Sequence, residues 1–269
     1  MQDCLTREYI ADSSGAAYHI SIWTPAGEPP TGGWPVVYVL DAKAMFATFV
    51  ECIQRSGRRP DATGIGMAAV VGIAHGGERL FATEHRYRDY TFEPSSLIES
   101  TDSADKAGGA AFLSFIVDQL APELATEFSL NPNHQSLFGH SLAGYFVLNA
   151  LATRPHTFCH YAAISPSVWW QPAALTERLQ RLDSAVSARV LIATGEWEGH
   201  PAPWIAEPER SALITRRAPR AMLEHAAAAA ELLAQRLGAA QVRYRCFAEE
   251  DHSSVVMIGI QRSLRQFFE

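Results

Sequence analysis

Apolar positions along this chain fall into short runs that predict β-strands. Apolar and polar residues alternate from Tyr18 to Thr24, which predicts a half-buried strand near one edge of a sheet. Near-continuous apolar runs predict strands covered on both faces, at 36–40, 67–73, 161–164 and 189–193. Another apolar run ends at Gly139, and the last strand is expected at 242–247.

Helical spacing separates these predicted strands. Apolar residues recur at helical intervals in segments that predict helices at 44–54, 109–128, 173–182 and 255–268. An alanine-rich helix is expected to carry Pro219 in its first turn and to end near Gly238. Strands that alternate with helices in this way predict an α/β fold, with a mainly parallel sheet and helices on both faces.

The length of 269 residues fits one domain over residues 1–269. Two segments, about 78–103 and 196–218, lack clear periodicity and interrupt the alternation of strands and helices. Because they are long, polar or proline-rich, we expect them to be loop insertions placed to form a lid over a site.

Composition and charge narrow the classes of partner. The formal net charge of −7 argues against a nucleic-acid or anionic-membrane partner, and no apolar run is long enough to span a bilayer. The N-terminus shows no signal-peptide pattern, so we expect a cytoplasmic protein, or a periplasmic one if a signal peptide has been removed. Four scattered cysteines, at 4, 52, 159 and 246, predict no disulfide framework.

The segment Gly139-His140-Ser141-Leu142-Ala143 has the order of a nucleophile elbow, in which a strand turns sharply into a helix. The serine stands at the apex, and the helix that follows offers unpaired N–H groups. The usual pattern ends in glycine, where this chain has Ala143 and only then Gly144. Ser141 is therefore the candidate nucleophile, and His140 is expected to be a structural neighbour that points away from it.

The loop behind the last predicted strand carries His252, the candidate general base. A serine hydroxyl needs such a base because it is a poor nucleophile at neutral pH. The third member of a triad is expected after the strand at 189–193, where Glu198 is the first choice and Glu196 the second. A Ser–His dyad without an acid is the alternative.

The oxyanion hole needs two backbone donors. One is expected to be the N–H of Leu142, directly after the nucleophile, and the other the backbone of Ala42, after the strand at 36–40. No grouping of His, Asp and Glu residues suggests a zinc site, so no metal is expected.

Several stretches together carry a resemblance to a known family. They are Val37-Tyr38-Val39-Leu40-Asp41, Arg86-Tyr87-Arg88-Asp89-Tyr90-Thr91, Lys106-Ala107-Gly108-Gly109, Gly139-His140-Ser141, Ser165-Pro166-Ser167 and His252. From about Pro35 to its end, the chain resembles the esterase D-like branch of the α/β hydrolases. Within that branch it is most similar to the catecholate siderophore esterases, which hydrolyse the trilactone of enterobactin and its glucosylated relatives. It departs from them at Ala42 and Ala143, where those enzymes usually have glycine.

The resemblance implies an α/β-hydrolase fold, Ser141 as nucleophile, His252 as base and the amides of Ala42 and Leu142 as oxyanion hole. It also implies that Arg86 contacts the substrate. No metal or organic cofactor is implied, since any iron belongs to the substrate.

Side-chain chemistry adds to this expectation. An arginine such as Arg86 beside a pocket suits an anionic catecholate, and Trp169, Trp170 and Trp197 are candidates to stack on catechol rings. The alternative is that two of these three tryptophans only pack the lid.

The sequence thus predicts a serine esterase that opens the ester backbone of a small-molecule catecholate siderophore and so releases iron. One alternative is a serine esterase or thioesterase of another small substrate, of acetyl-ester or S-formylglutathione type. The other is a catalytically silent protein that binds a siderophore. Oligomeric state is not predicted.

Overall fold

The computed structural model describes residues 4–94 and 107–269, and its centre is an eight-stranded sheet. The strands are β1 (Cys4–Ile10), β2 (Ala17–Trp23), β3 (Trp34–Leu40), β4 (Ala69–His75), β5 (Leu130–His140), β6 (His160–Ile164), β7 (Arg189–Gly195) and β8 (Val242–Phe247). Their order is β1-β2-β4-β3-β5-β6-β7-β8. β2 pairs antiparallel with β1 and β4, and all other pairs are parallel. The predicted α/β fold with a mainly parallel sheet is confirmed.

Helices connect the strands and cover the sheet. They are α1 (Ala42–Ser56), α2 (Pro60–Thr63), α3 (Thr83–Asp89), α4 (Gly109–Ser114), α5 (Ala121–Glu127), α6 (Leu142–Thr153), α7 (Pro172–Gln180), α8 (Glu209–Arg217), α9 (Met222–Leu237) and α10 (Val255–Phe267). A π-helical segment, Phe115–Leu120, joins α4 to α5, so the helix expected at 109–128 is nearly continuous.

Two apolar layers lie on the two faces of the sheet. Alternate residues of β3 point to opposite sides: Val36, Tyr38 and Leu40 belong to one buried cluster, and Val37 and Val39 to the other. The first cluster takes in α6 and α9, and the second takes in α1 and α10. This arrangement explains why the central strands read as continuous apolar runs, since both of their faces are covered.

The structure corrects three details of the sequence prediction. β1 was not expected, because its side chains lie at the sheet edge and are mostly exposed or half-buried. Pro219 lies in a separate short 3₁₀ turn, Ala218–Arg220, and α9 begins only after Ala221, whose φ of 37° interrupts the helix. The segment expected to be irregular at 196–218 contains α8. Of the other insertion, 78–94 is described and includes α3, while 95–103 lies outside the described residues.

The carboxyl ends of the parallel strands place the residues that matter for chemistry. β3 leads into Asp41 and Ala42, β5 into Ser141, β7 into the turn Glu196–Glu198, and β8 into the loop that carries His252. In a parallel sheet these ends meet at one edge, so residues far apart in sequence are brought together there.

Gly72 on β4 makes room for the methyl group of Ala42. A Cβ at position 72 would lie 2.7 Å from the Cβ of Ala42 and 2.7 Å from the ring of Phe46. The resemblance led us to expect glycine at position 42. The methyl group of Ala42 is accommodated because the neighbouring strand has glycine at position 72.

We predict that Gly72→Ala lowers the free energy of unfolding by about 1–3 kcal/mol, because an added methyl overpacks the core. Gly76→Ala is the matched control, since a Cβ there has no atom within 4 Å. Denaturant unfolding of both variants measures the difference. Equal stability of the two variants would contradict this account of the packing around Ala42.

Candidate active site

Ser141 lies at a sharp turn between β5 and α6. Its backbone has φ 61° and ψ −119°, a conformation that non-glycine residues rarely adopt. The turn is held because Ser141 N–H donates to the carbonyl of Ile164 at 2.9 Å, and Ser167 N–H donates to the carbonyl of Ser141 at 3.0 Å. This is the strained geometry of a nucleophile elbow.

Gly139 explains how the elbow tolerates alanine at position 143. A Cβ on Gly139 would lie 2.3 Å from the carbonyl oxygen of Ala143 and 3.0 Å from its Cβ. The space that the turn needs is therefore provided at position 139, and the methyl group of Ala143 is fully buried beside it.

His252 bridges Ser141 and Glu198. Its Nε2 lies 3.0 Å from Ser141 Oγ, and its Nδ1 lies 2.6 Å from Glu198 Oε2. A neutral imidazole that donates its Nδ1–H to the carboxylate leaves Nε2 free to accept the serine proton. The three side chains thus form the hydrogen-bonded chain that a Ser–His–acid mechanism requires.

Glu198 is buried and surrounded by donors. Its Oε1 accepts the N–H of Gly195 at 2.7 Å and the hydroxyl of Ser165 at 2.5 Å. Burial raises the pKa of Glu198, but the hydrogen bond and charge of His252, together with these two donors, outweigh it and leave the pKa below its usual value. Glu198 is therefore an anion at neutral pH and is able to stabilise an imidazolium.

Glu196, the second choice for the acid, makes other contacts. Its Oε2 accepts the N–H of Glu249 at 2.9 Å, and its Oε1 lies 3.5 Å from Nε2 of His200. These contacts tie the turn after β7 to the loop after β8, whereas the carboxylate that contacts His252 is that of Glu198.

His140 lies against His252. Its Nε2–H donates to the carbonyl of His252 at 2.7 Å, and the two ring centroids are 4.6 Å apart. Burial, helped by the charge of His252, lowers the pKa of His140 to about 3, so its ring is neutral at physiological pH. His140 therefore holds His252 in place without adding a positive charge beside it.

Ala42 and Leu142 occupy equivalent positions. Ala42 is the first residue of α1, and Leu142 is the first residue of α6. The N–H of a first helical residue has no acceptor within its own helix, and it carries the positive end of the helix dipole. Both groups are thus of the kind that stabilises a developing oxyanion.

A cavity of about 250 Å³ opens beside Ser141 and His252. Its other lining residues are Ser167, Trp169, Glu198, Arg216, Arg217, Arg220 and Met222. The three arginines were not predicted as site residues, although the basic cluster at 216–220 overlaps the end of the segment 196–218, which was expected to form a lid. Since arginine stays protonated at any physiological pH, this wall of the cavity is positively charged.

The three candidate tryptophans are placed differently. Trp169 lines the cavity, and the guanidinium carbon of Arg220 lies 4.7 Å from its ring centre. Trp170 is fully buried, donates its indole N–H to the carbonyl of Glu93 at 2.8 Å, and stacks on Tyr87. Trp197 packs edge-on against Trp204, with ring centres 4.5 Å apart. Of the three candidates, Trp169 lines this cavity and Trp170 and Trp197 do not, which agrees with the alternative that two of the three tryptophans pack within the protein.

Arg86 also lies outside the lining of this cavity. Its Nε donates to both carboxylate oxygens of Asp41, at 3.1 and 3.2 Å, and Asp41 is the residue directly before Ala42. The arginine expected to contact substrate is thus paired within the protein.

The described residues contain no cluster of three or more His, Cys, Asp or Glu side chains that would hold a metal ion. Within residues 4–94 and 107–269, no helix combines the length and apolar character needed to cross a bilayer.

Comparison with known proteins places the chain among esterases. Residues 11–252 match the model of the family described as "Putative esterase". The chain is 37% identical to the ferri-bacillibactin esterase BesA of Bacillus subtilis over 193 residues, which are 68% of this chain and 66% of that protein, just under two thirds. It is 27% identical to a siderophore triacetylfusarinine C esterase of Aspergillus fumigatus over 275 residues, which are 97% of this chain and 92% of that protein.

Among solved structures, the BES protein from Bacillus cereus superposes with a TM-score of 0.81 at 26% identity. The alignment covers 99% of this chain and 96% of that one. The family model spans most of the sequence and includes both Ser141 and His252. The chain therefore belongs to this family of esterases.

Proposed function

We propose that this protein is a serine esterase that hydrolyses the ester backbone of an anionic catecholate siderophore. One observation carries the proposal: the chain of hydrogen bonds from Glu198 through His252 to Ser141 opens into a cavity lined by three arginines. The names of the relatives support it, since they are esterases of siderophores.

In the proposed reaction, Ser141 Oγ attacks the ester carbonyl carbon while His252 Nε2 takes the hydroxyl proton. The carbonyl oxygen becomes an oxyanion that accepts hydrogen bonds from the N–H groups of Ala42 and Leu142. Collapse of this intermediate breaks the bond to the alcohol, which receives the proton from His252. Water, activated by the same histidine, then releases the acid from Ser141. Glu198 orients the imidazole and stabilises its charged form.

The charge of the cavity supports one class of siderophore over another. A ferric tris-catecholate complex is a trianion, whereas a ferric tris-hydroxamate complex is neutral. Arg216, Arg217 and Arg220 line the same cavity as Ser141, and Trp169 supplies an aromatic face beside Arg220. Guanidinium groups suit planar anionic oxygen ligands. The proposed substrate is therefore of the catecholate kind.

The size of the cavity suggests how such a substrate binds. At about 250 Å³ it is below the range of about 300–1,000 Å³ that encloses a drug-sized ligand. We infer that one arm of the siderophore enters beside Ser141, while the rest of the complex stays outside, within reach of the arginines.

Chromatography of reaction products tests the proposal. Wild type incubated with ferric and iron-free enterobactin is expected to produce linear trimer, dimer or monomer, and Ser141→Ala is expected to produce none above background. Cleavage of aryl esters without cleavage of the siderophore would favour an esterase of another substrate. Tight siderophore binding with no turnover of either compound would favour the silent binding protein.

Two single substitutions, one at Glu198 and one at Glu196, test which glutamate is the acid of the triad. We predict that Glu198→Gln lowers kcat about a hundredfold to ten-thousandfold, because the neutral amide no longer stabilises the imidazolium or fixes its tautomer. Glu196→Gln, the matched control, is expected to cost far less, since Glu196 contacts Glu249 and His200 instead. Steady-state kinetics on one aryl ester measures both. Near-normal activity of Glu198→Gln would support the dyad.

The arginine wall predicts a dependence on substrate charge. The double variant Arg216→Gln/Arg220→Gln is expected to lower kcat/KM for a ferric catecholate by about 10–100-fold, the range for losing hydrogen bonds to charged groups. For a neutral ferric hydroxamate ester the loss is expected to be smaller. Arg181→Gln, at an exposed position directly after α7, is the control. Equal losses on both substrates would contradict a charge-selective cavity.

A further inference from the structure

Asp41 has an unusual backbone and an unusual role for a residue before a helix. Its φ of 53° and ψ of 46° are left-handed, and it precedes α1 without capping it, since its side chain makes no hydrogen bond to the first turn. Aspartate at this position ordinarily accepts an N–H of the first turn. Here the carboxylate is turned elsewhere, and the first N–H groups of α1 are left without this acceptor.

The carboxylate of Asp41 is held by two residues of one segment. Arg86 Nε contacts both of its oxygens, and the hydroxyl of Tyr90 donates to Oδ1 at 3.2 Å. The N–H of Asp41 in turn donates to the same hydroxyl at 3.3 Å. Asp41 is 4% exposed and Tyr90 fully buried, so this network is shielded from water. It fixes both the backbone and the side chain of the residue before Ala42.

Arg86 also reaches the second loop of the site. Its Nη2 donates to the carbonyl of His140 in a long contact of 3.5 Å, and His140 directly precedes Ser141. The rings of Phe81 and Tyr90 lie 5.3 and 5.6 Å from the guanidinium carbon and restrict its orientation. The side chain of Arg86 therefore contacts the ends of both β3 and β5, which lead into the proposed oxyanion donors Ala42 and Leu142.

We propose that Arg86 is a positioning residue, which together with Tyr90 holds the peptide of Ala42 in register with Ser141 and Leu142. This inference rests on the proposed esterase function and assigns Arg86 to the oxyanion hole rather than to substrate binding. The arginines that line the cavity, at 216, 217 and 220, are the ones placed to meet an anionic substrate.

Kinetics on two substrates distinguish the two roles. Arg86→Gln is expected to lower kcat about 10–100-fold on both a neutral aryl ester and a ferric catecholate, with KM changed less than about threefold, because both need the oxyanion hole. Binding of a neutral trifluoromethyl ketone, which becomes an oxyanion on Ser141, is expected to weaken in parallel. Arg154→Gln removes a surface arginine–aspartate pair of the same type and is the matched control.

A second variant with a smaller change controls for misfolding of Arg86→Gln. Tyr90→Phe removes only the hydroxyl, and we expect a smaller loss of kcat in the same direction on both substrates. In the double variant Asp41→Asn/Arg86→Gln, the losses are expected to be non-additive, because each single change already breaks the same pair. Normal kcat of Arg86→Gln on the aryl ester, with a raised KM only for the ferric catecholate, would overturn the inference.

The aryl ester keeps this test separate from the proposed substrate. If wild type hydrolyses aryl esters and leaves the siderophore intact, the substrate proposal fails while the role of Arg86 is still measured. If both Arg86→Gln and Tyr90→Phe retain full aryl-ester activity and ketone affinity, the positioning role fails, whatever the natural substrate is.

Discussion

The position of His252 between Ser141 and Glu198 depends on the ends of β5, β7 and β8, which lie at the same edge of the sheet. His252 lies in the loop between β8 and α10, where the adjacent Asp251 side chain accepts the N–H groups of Ser253 and Ser254 at 2.7 and 2.8 Å. Bonds from neighbouring loops hold that segment: Trp197 N–H donates to the carbonyl of Glu250 at 3.0 Å, and Glu196 accepts the N–H of Glu249. His140 binds the carbonyl of His252 itself. His252 is thus fixed by the loops that also carry Ser141 and Glu198.

Close packing of backbone against backbone makes this possible. A Cβ on Gly195 would lie 2.3 Å from the carbonyl oxygen of Glu250, so the loops after β7 and β8 approach each other only because position 195 is glycine. Gly139 plays the same part at the elbow. The geometry of the site therefore depends on Gly139 and Gly195 as well as on the three polar residues Ser141, His252 and Glu198.

Much of this architecture was predictable from the sequence, for identifiable reasons. Central strands covered on both faces give continuous apolar runs, and the chain order of Ser141, Glu198 and His252 follows the order of the strands that carry them. The edge strand β1 lacks such a run. Trp169 and Trp170 are adjacent in a 3₁₀ turn and point to different surroundings, which no pattern of spacing distinguishes. The arginines at 216, 217 and 220 lie at the end of α8 and in the turn that follows it, and no spacing in the sequence shows that this segment lines the same cavity as Ser141.

The charge of the cavity beside Ser141 is opposite in sign to the net charge of the chain. The net charge of −7 opposes binding of large polyanions, yet the cavity beside Ser141 is lined by three arginines. A local cationic wall in an acidic protein is consistent with selecting a small anion at one point of the surface. Arg86 forms an ion pair with Asp41 inside the protein, whereas Arg216, Arg217 and Arg220 line the cavity.

In the proposed mechanism, Ser141 carries the acyl group during ester hydrolysis. Acid quenching of wild type during turnover of a ferric catecholate trilactone, followed by intact-protein and peptide mass spectrometry, measures it directly. We expect an added mass equal to the opened siderophore, located on the peptide that contains Ser141. Prior labelling of Ser141 with a fluorophosphonate is expected to abolish turnover. Turnover that continues after Ser141 is fully labelled would rule out Ser141 as the nucleophile.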